Sequence, residues 1–389
     1  MAKKTFDSVV CFACGDWWYH NHGHFDMQIM RRFAQRVPVL YVNAMGLRFP
    51  AVSEGCMFAR RIRRKMASVA RGLASVAPRF SVLSVFSVPL YHVNVVRRAN
   101  AASVRAQIYR ALQTLGLRKP AAWVVSPSAV DVVRNGRFAK CVYQRTDDFA
   151  AFPGVRSAVI HDMDREMVAL AGAVVHVSRE LHQQCTAAGG TSRLLDHGVD
   201  FERFAEALHD PWRPADMLPI PHPIVGFFGA MDSHTFDADL VERCADQSRH
   251  AHFVLVGAAT VQTGGLRRRS NVHLLGQKPY EQIPHYGKAF DVAMMPWVQN
   301  DWIRRCKPVK LKEYLALGKP VVSMHFPAIH PYEHIVWVCR DKAEFVHAVD
   351  RSIQGAGQSA EDVHRRQECV AGDSWDRVAA EAWAVLRRA

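Results

Sequence analysis

At 389 residues, 49% apolar and 22% charged, the chain is long enough for two domains with buried cores and lacks the bias of disordered, collagenous or membrane-spanning proteins. Its formal charge is +14, and the excess lies in one half: residues 1–200 carry 27 Lys+Arg against 13 Asp+Glu, while the remainder balances at 23 of each. A first half so basic is expected to meet something anionic.

In chain order, the run "SVVCFACG" (8–15) reads as a buried strand. It holds the sole C-x-x-C pair, Cys11 and Cys14, without the second pair that a zinc site would need. The nine cysteines are otherwise scattered, which suits a reducing compartment. The opening residues have no apolar signal core, so no secretory leader is expected. A helix over 24–36 and the strand "VPVLYVN" follow. In "FARRIRRKMASVARGLASV", Phe58, Ile62, Met66, Val69, Leu73 and Val76 recur at four and three, predicting an amphipathic helix over 58–76. Its arginines, Arg60, Arg61, Arg63 and Arg64, with Lys65, suit an anionic membrane surface; the bland alternative is a solvated helix packed on its own domain. No nucleic-acid partner is expected, because no binding motif accompanies the charge. The segment 80–96 is uncharged but too short and too interrupted, by Pro89, His92 and Asn94, for a membrane span.

Beyond a helix over 98–115, "AAWVVSP", "KCVYQRT" and "GAVVHVS" read as further buried strands. A stretch with five prolines, 209–223, reads as a linker. After it come "IVGFFGA", "HFVLVGA", "VHLLG", "DVAMMPW" and "PVVSMHF". The alternation predicts an α/β protein with two parallel sheets: a domain over 1–208, the linker 209–223, a domain over 224–370, and a helix over 371–389 crossing back to the first. Ligands of such sheets lie beyond the carboxyl ends of the strands, here expected in a cleft between the domains.

In "KPVKLKEYLALGKPVVS" (307–323), Pro308 suits a helix start, while Gly318 and Pro320 suit its end. Lys310 and Glu313 sit three apart, either as a surface pair or as an anion site. Asp162-Met-Asp164 and Asp237-Ala-Asp239 have a metal-site spacing but stand where helices begin, and His330-Pro-Tyr-Glu-His334 lacks a helical pattern, so no metal site is expected.

"VVHVSRELHQQC", "IVGFFGAMDSHTFDADL", "HFVLVGA", "VHLLGQKPYEQIPHYGKAFDVAMMPW" and "KPVKLKEYLALGKPVVS", in this order, resemble the bacterial glycosyltransferases of the GT-B architecture, two Rossmann-like domains facing a cleft. The resemblance implies that Lys310 contacts the diphosphate of a nucleotide sugar and that Glu313 accepts from its ribose. It implies further donor contacts at Gly229, Ala230, Met231, Gln277, Lys278 and Trp297. Retaining members carry a glutamate eight residues before the Glu313 position, where Arg305 stands here. The segment "CVYQRTDDFAAF" resembles the inverting xanthan-pathway glucuronosyltransferase family, with Asp147 as general base and Asp148 as second choice. Without the resemblance, both could merely cap the next helix. Asp16, His20, His22 and His24, after the first strand, are candidate acceptor contacts.

The resemblance therefore implies transfer of a sugar, UDP-linked, to a glycan or polyprenyl-diphosphate-linked acceptor, without cofactor or metal. It implies a cytoplasmic protein, peripheral on the inner membrane face if the 58–76 helix docks there. The rivals are a nucleotide-sugar epimerase on the same scaffold and a non-catalytic glycan- or lipid-binding protein.

Overall fold

A computed structural model describes residues 5–47, 56–152, 154–187, 192–355 and 357–389. The chain divides into two compact units, residues 1–196 with 376–389, and residues 197–375.

The first unit is built on eight strands: β1 (Ser8–Phe12), β2 (Val39–Val42), β3 (Leu73–Ala77), β4 (Phe80–Leu83), β5 (Pro120–Val124), β6 (Cys141–Arg145), β7 (Ala173–His176) and β8 (Ser192–Leu194). Their order is β3-β4-β2-β1-β5-β6-β7-β8, parallel throughout except for β3 against β4. The central strands are continuous apolar runs because both faces are covered, and every residue of β1, β2 and β5 is buried. Trp123 is wholly enclosed and satisfies its ring N–H on Gln144 Oε1 at 2.7 Å. The last helix, Trp375–Arg388, packs here from Asp376 onward. Its Trp383 ring lies 5.5 Å from Phe6 and 5.0 Å from Phe33, and Asp376 pairs with Arg32 at 3.0 Å.

The helix expected over 58–76 is shorter, Cys56–Ala70, and Leu73–Ala77 is instead the antiparallel edge strand β3. Gly72, at φ +56°, turns the chain between them. Lys65 donates to Ala44 O at 2.8 Å and Ser68 to Ser84 Oγ at 2.9 Å, fixing the helix to its own unit. Among the described residues, no helix is long and apolar enough to cross a membrane.

The second unit has six parallel strands: β9 (Ile224–Phe228), β10 (His252–Val256), β11 (Val272–Gly276), β12 (Val292–Met295), β13 (Val321–Met324) and β14 (Trp337–Cys339), ordered β11-β10-β9-β12-β13-β14. Its limits differ from the expected ones. The first unit ends at 196 rather than 208, because Phe204 is fully buried in the second core. The proline-rich stretch 209–223 is no free linker: Met217 and Ile220 enter that core, and Asp216 receives Lys278 Nζ at 2.5 Å and Tyr286 Oη at 2.8 Å. Asp237 caps the helix Ala238–Gln247, and Asp164 takes the Tyr143 hydroxyl and Arg145, so these D-x-D acids have structural partners.

Candidate functional site

In the second unit the chemistry gathers at the carboxyl end of β9. Gly229 (φ +145°) and Gly257 (φ +151°) end the neighbouring strands β9 and β10 in backbone conformations that favour glycine. A Cβ on Gly257 would lie 1.8 Å from Gly229 O, and one on Gly229 would lie 2.5 Å from Lys310 Nζ. Glycine is thus what lets this turn meet the ammonium.

Lys310 belongs to the first turn of the helix Val309–Ala316. Its Nζ stands 4.7 Å from the ring centre of Phe227 and 5.6 Å from that of Trp297. Burial lowers its pKa, against the opposing pull of Cys306, Glu313 and Asp232. Such a desolvated cation gains from any anion brought beside it. The same helix is held rigidly. Phe228 N–H donates to Tyr314 Oη at 2.9 Å, and the buried Lys312 ammonium reaches Asp373 at 2.8 Å and His197 O at 2.7 Å.

Glu313 is buried at 4% exposure and accepts from Tyr280 Oη at 3.1 Å. Burial pushes its pKa up to about 7, although Tyr280 and Lys310 pull it down. Met231 is buried and tied through its backbone to Ala258 and Thr260, whereas Ala230 beside it is exposed. Trp297 packs 5.1 Å from Phe326 as well as beside Lys310, so it is at once a core aromatic and a wall of the cation site. Gln277 is exposed after β11, and Lys278 is committed to Asp216. Tyr280, which the sequence reading passed over, is the group that holds Glu313. Its only sequence signal was its nearness to Lys278.

In the first unit, Asp147 follows β6 by two residues. Burial and the neighbouring Asp148 push its pKa up to about 6. Its charge also raises the Cys14 thiol, after burial and Asp26, so the residues just past β1 and β6 feel each other's field across β5. Asp148 stands at the N-cap of the short turn Phe149–Ala151 yet makes no side-chain capping bond, which weakens the capping alternative for it.

The loop after β1 carries the other candidates. Asp16 Oδ1 accepts from Trp18 N at 3.0 Å and Asn43 Nδ2 at 3.4 Å, and Asp16 N–H donates to His20 Nδ1 at 2.8 Å. His22 stacks on Trp17 at 4.2 Å, with Nε2 donating to Trp17 O at 3.1 Å, so it braces the loop. His24 is exposed, its ring 5.8 Å from that of His20. Among the described residues no group of three or more His, Cys, Asp or Glu could hold a metal ion.

Ionising Glu313 costs the native state stability, because its folded pKa of about 7 exceeds the ordinary 4.5. That cost is absent below the ordinary value and complete above about 7. Urea unfolding of Glu313→Gln at pH 5 and pH 8 should show the variant gaining on the wild type as pH rises; a constant difference would contradict it.

Residues 222–354 match the family described as "Glycosyl transferases group 1". A teichuronic acid biosynthesis glycosyltransferase assignment has been given to a Bacillus subtilis (strain 168) protein that is 24% identical over 258 residues, spanning 60% of this chain and 64% of that one, somewhat under two thirds of its length. Among solved structures, sucrose-phosphate synthase from Thermosynechococcus elongatus superposes with a TM-score of 0.71 at 13% identity over 98% of both chains. Anabaena HepE in complex with UDP and glucose gives 0.68 at 12% identity, covering 98% of this chain and 99% of that one. The whole chain therefore shares the fold of these sugar-transferring enzymes, and within it residues 222–354 are similar to the group 1 glycosyl transferases.

Proposed function

We propose that this chain is a glycosyltransferase moving a hexosyl or glycuronosyl group from a UDP-sugar to a glycan or polyprenyl-diphosphate-linked acceptor, with inversion, in the assembly of a bacterial surface or exopolysaccharide. The observation that carries the reading is the desolvated Lys310 ammonium between the glycine turn after β9 and the rings of Phe227 and Trp297, inside the group 1 domain. The UDP held by the similarly folded HepE supports UDP as the nucleotide, and the name given to the Bacillus relative supports polysaccharide assembly.

In the reaction, the acceptor oxygen forms its bond to the anomeric carbon as the bond to the diphosphate breaks. Asp147 receives the acceptor proton; a base with a pKa near 6 is ionised at neutral pH and still holds a proton usefully. Lys310, with the first-turn N–H groups of its helix, takes the charge developing on the leaving diphosphate. Inversion is supported by Arg305 standing where retaining relatives carry a glutamate. No step calls for a metal.

Docking to an anionic membrane surface is part of the proposal. Arg60, Arg61, Arg63 and Arg64 are exposed on the helix Cys56–Ala70, and Ile62 (39%) and Met66 (54%), four apart, are exposed beside them.

UDP at a hundred times its Kd should stabilise the wild type by about 2.7 kcal/mol in a thermal-shift assay. Lys310→Ala should lose most of that shift, and an unchanged shift would remove Lys310 from the donor site. Asp147→Asn should lower kcat by about 10²- to 10⁴-fold with UDP binding retained. The wild-type rate should fall as pH drops through about 6, since the base is then protonated. Full activity in the variant would leave Asp147 without a catalytic role. Co-sedimentation should favour anionic over neutral vesicles, and a variant with Arg60, Arg61, Arg63 and Arg64 changed to glutamine should lose the preference; equal recovery on both vesicles would refute docking.

A further inference from the structure

The carboxyl ends of β6 and β7 bring Arg145 and His176 together: they are paired in register, so their side chains leave the same face of the sheet. The helix Arg179–Ala187 follows β7 directly, and its first turn places the His182 ring 5.9 Å from that of His176. His176 is wholly buried, yet neither of its ring nitrogens has a hydrogen-bond partner. Arg145 is largely enclosed as well, with its side chain 12% exposed. It donates from Nε to Asp164 at 3.0 Å, while its two Nη groups have no hydrogen-bond partner among the described residues. Burial, then the charges of Arg145 and His182, push the His176 pKa down to about 3, so its ring is neutral at pH 7.

Native folds rarely leave buried polar atoms unmet, and two orphaned nitrogens beside a half-used guanidinium call for a bound group. The donor set decides which kind. Arg145 offers N–H groups alone. The helix adds the N–H groups that precede its first bond, which runs from His182 N to Ser178 O at 3.1 Å. Either nitrogen of His176 can carry the ring proton and donate. Asp164 is already engaged by the Tyr143 hydroxyl at 2.7 Å and by Arg145, so it steadies the guanidinium and leaves the Nη groups to a ligand. Arg179, which opens the helix, is exposed and adds a cation on the solvent side. A site so rich in donors suits a group made of acceptors, and a helix N-terminus beside a guanidinium fork suits phosphate oxygens.

We propose that Arg145, His176 and the N-terminus of the helix Arg179–Ala187 hold a phosphate group of the acceptor. The inference deepens the reading of a phosphate-bearing acceptor and rests on it. Asp147 lies two residues beyond Arg145, so a phosphate held here stands near the base that takes the acceptor's proton. That placement favours an acceptor whose reacting sugar itself bears the phosphate over a long neutral glycan. A lipid-linked sugar diphosphate and a soluble sugar phosphate share this chemistry, and the two sources separate by experiment.

Calorimetric titration of the full chain, saturated with UDP so that the phosphate site of the other unit is filled, tests this with geranyl diphosphate, glucose 1-phosphate, geraniol and glucose. At least one of the two phosphates should bind about tenfold or more tightly than its uncharged counterpart; the tighter of the two identifies the source as lipid-borne or soluble. Arg145→Lys keeps a charge beside Asp164 but loses the fork, and should weaken that phosphate about tenfold. His176→Phe removes two unpaired buried nitrogens, so it should keep or raise the melting temperature while weakening the same phosphate about tenfold. Equal affinity for the phosphates and their uncharged counterparts overturns the proposal. So does a phosphate affinity unchanged in both variants, which would leave His176 a core residue. The UDP thermal shift, measured on the same samples, belongs to the other unit. Its loss in the wild type would count against the transferase reading, whereas its retention without phosphate binding would count against this site alone.

Discussion

The hydrogen bond from Phe228 N–H to Tyr314 Oη joins the end of β9 to the helix that carries Lys310 and Glu313. Both partners are buried, so an unmet Phe228 N–H would cost about 1–3 kcal/mol, and the helix cannot slide along the strand end without meeting that cost. Lys312 adds a second constraint. Its ammonium is 3% exposed and has its partners at Asp373 and His197, near the two ends of the second unit's sequence. A buried charge is tolerated only while its partners hold still, which makes it a device for position more than for stability. The glycine turn then closes on Lys310 so tightly that one added carbon would displace it. Preorganisation of this kind lets a cation stabilise a developing charge without first reorganising.

Two carboxyl groups are raised by burial, yet their surroundings suit them to different work. Glu313 is enclosed on its helix and occupied by Tyr280, so its proton has no ready exchange with an acceptor hydroxyl. Asp147 is only half-buried, stands on a loop just past a strand end, and has another carboxylate as its neighbour. In the proposed reaction, environment is what would separate a group that binds from one that moves a proton, even though both titrate in the same region of pH.

The parallel strands were legible because strands covered on both faces must be continuous apolar runs, and "SVVCF", "IVGFF" and "HFVLV" can hardly be read otherwise. β3 was not, because "LASVA" is an edge strand with one face in solvent, and its Leu73 and Val76 happened to extend the helical spacing of the preceding residues. Gly72 was the local signal that the helix had stopped. The proline-rich stretch misled for a different reason: prolines forbid regular structure but not packing, and the bond from Lys278 to Asp216 spans 62 residues of sequence. Lys310 and Glu313 were visible as a pair, while the burial that gives them their chemistry arises from Phe227, Trp297 and Tyr280, which are remote in sequence.

The basic excess of the first unit is also more local than a net charge suggests. Arg97 and Arg134 share Asp131 and Glu166, and Arg145 is matched by Asp164, so the cations on this part of the unit are neutralised within the fold. Such partly buried pairs are expected to do positional work and to contribute little long-range field. The four arginines of the helix Cys56–Ala70 are exposed, and Ile62 and Met66 are exposed among them. On that helix, exposed cations and exposed hydrocarbon side chains share one stretch. Charge alone would attract any polyanion, and apolar surface alone any hydrophobe; in the docking proposed above, their coincidence would favour an anionic membrane surface over a nucleic acid.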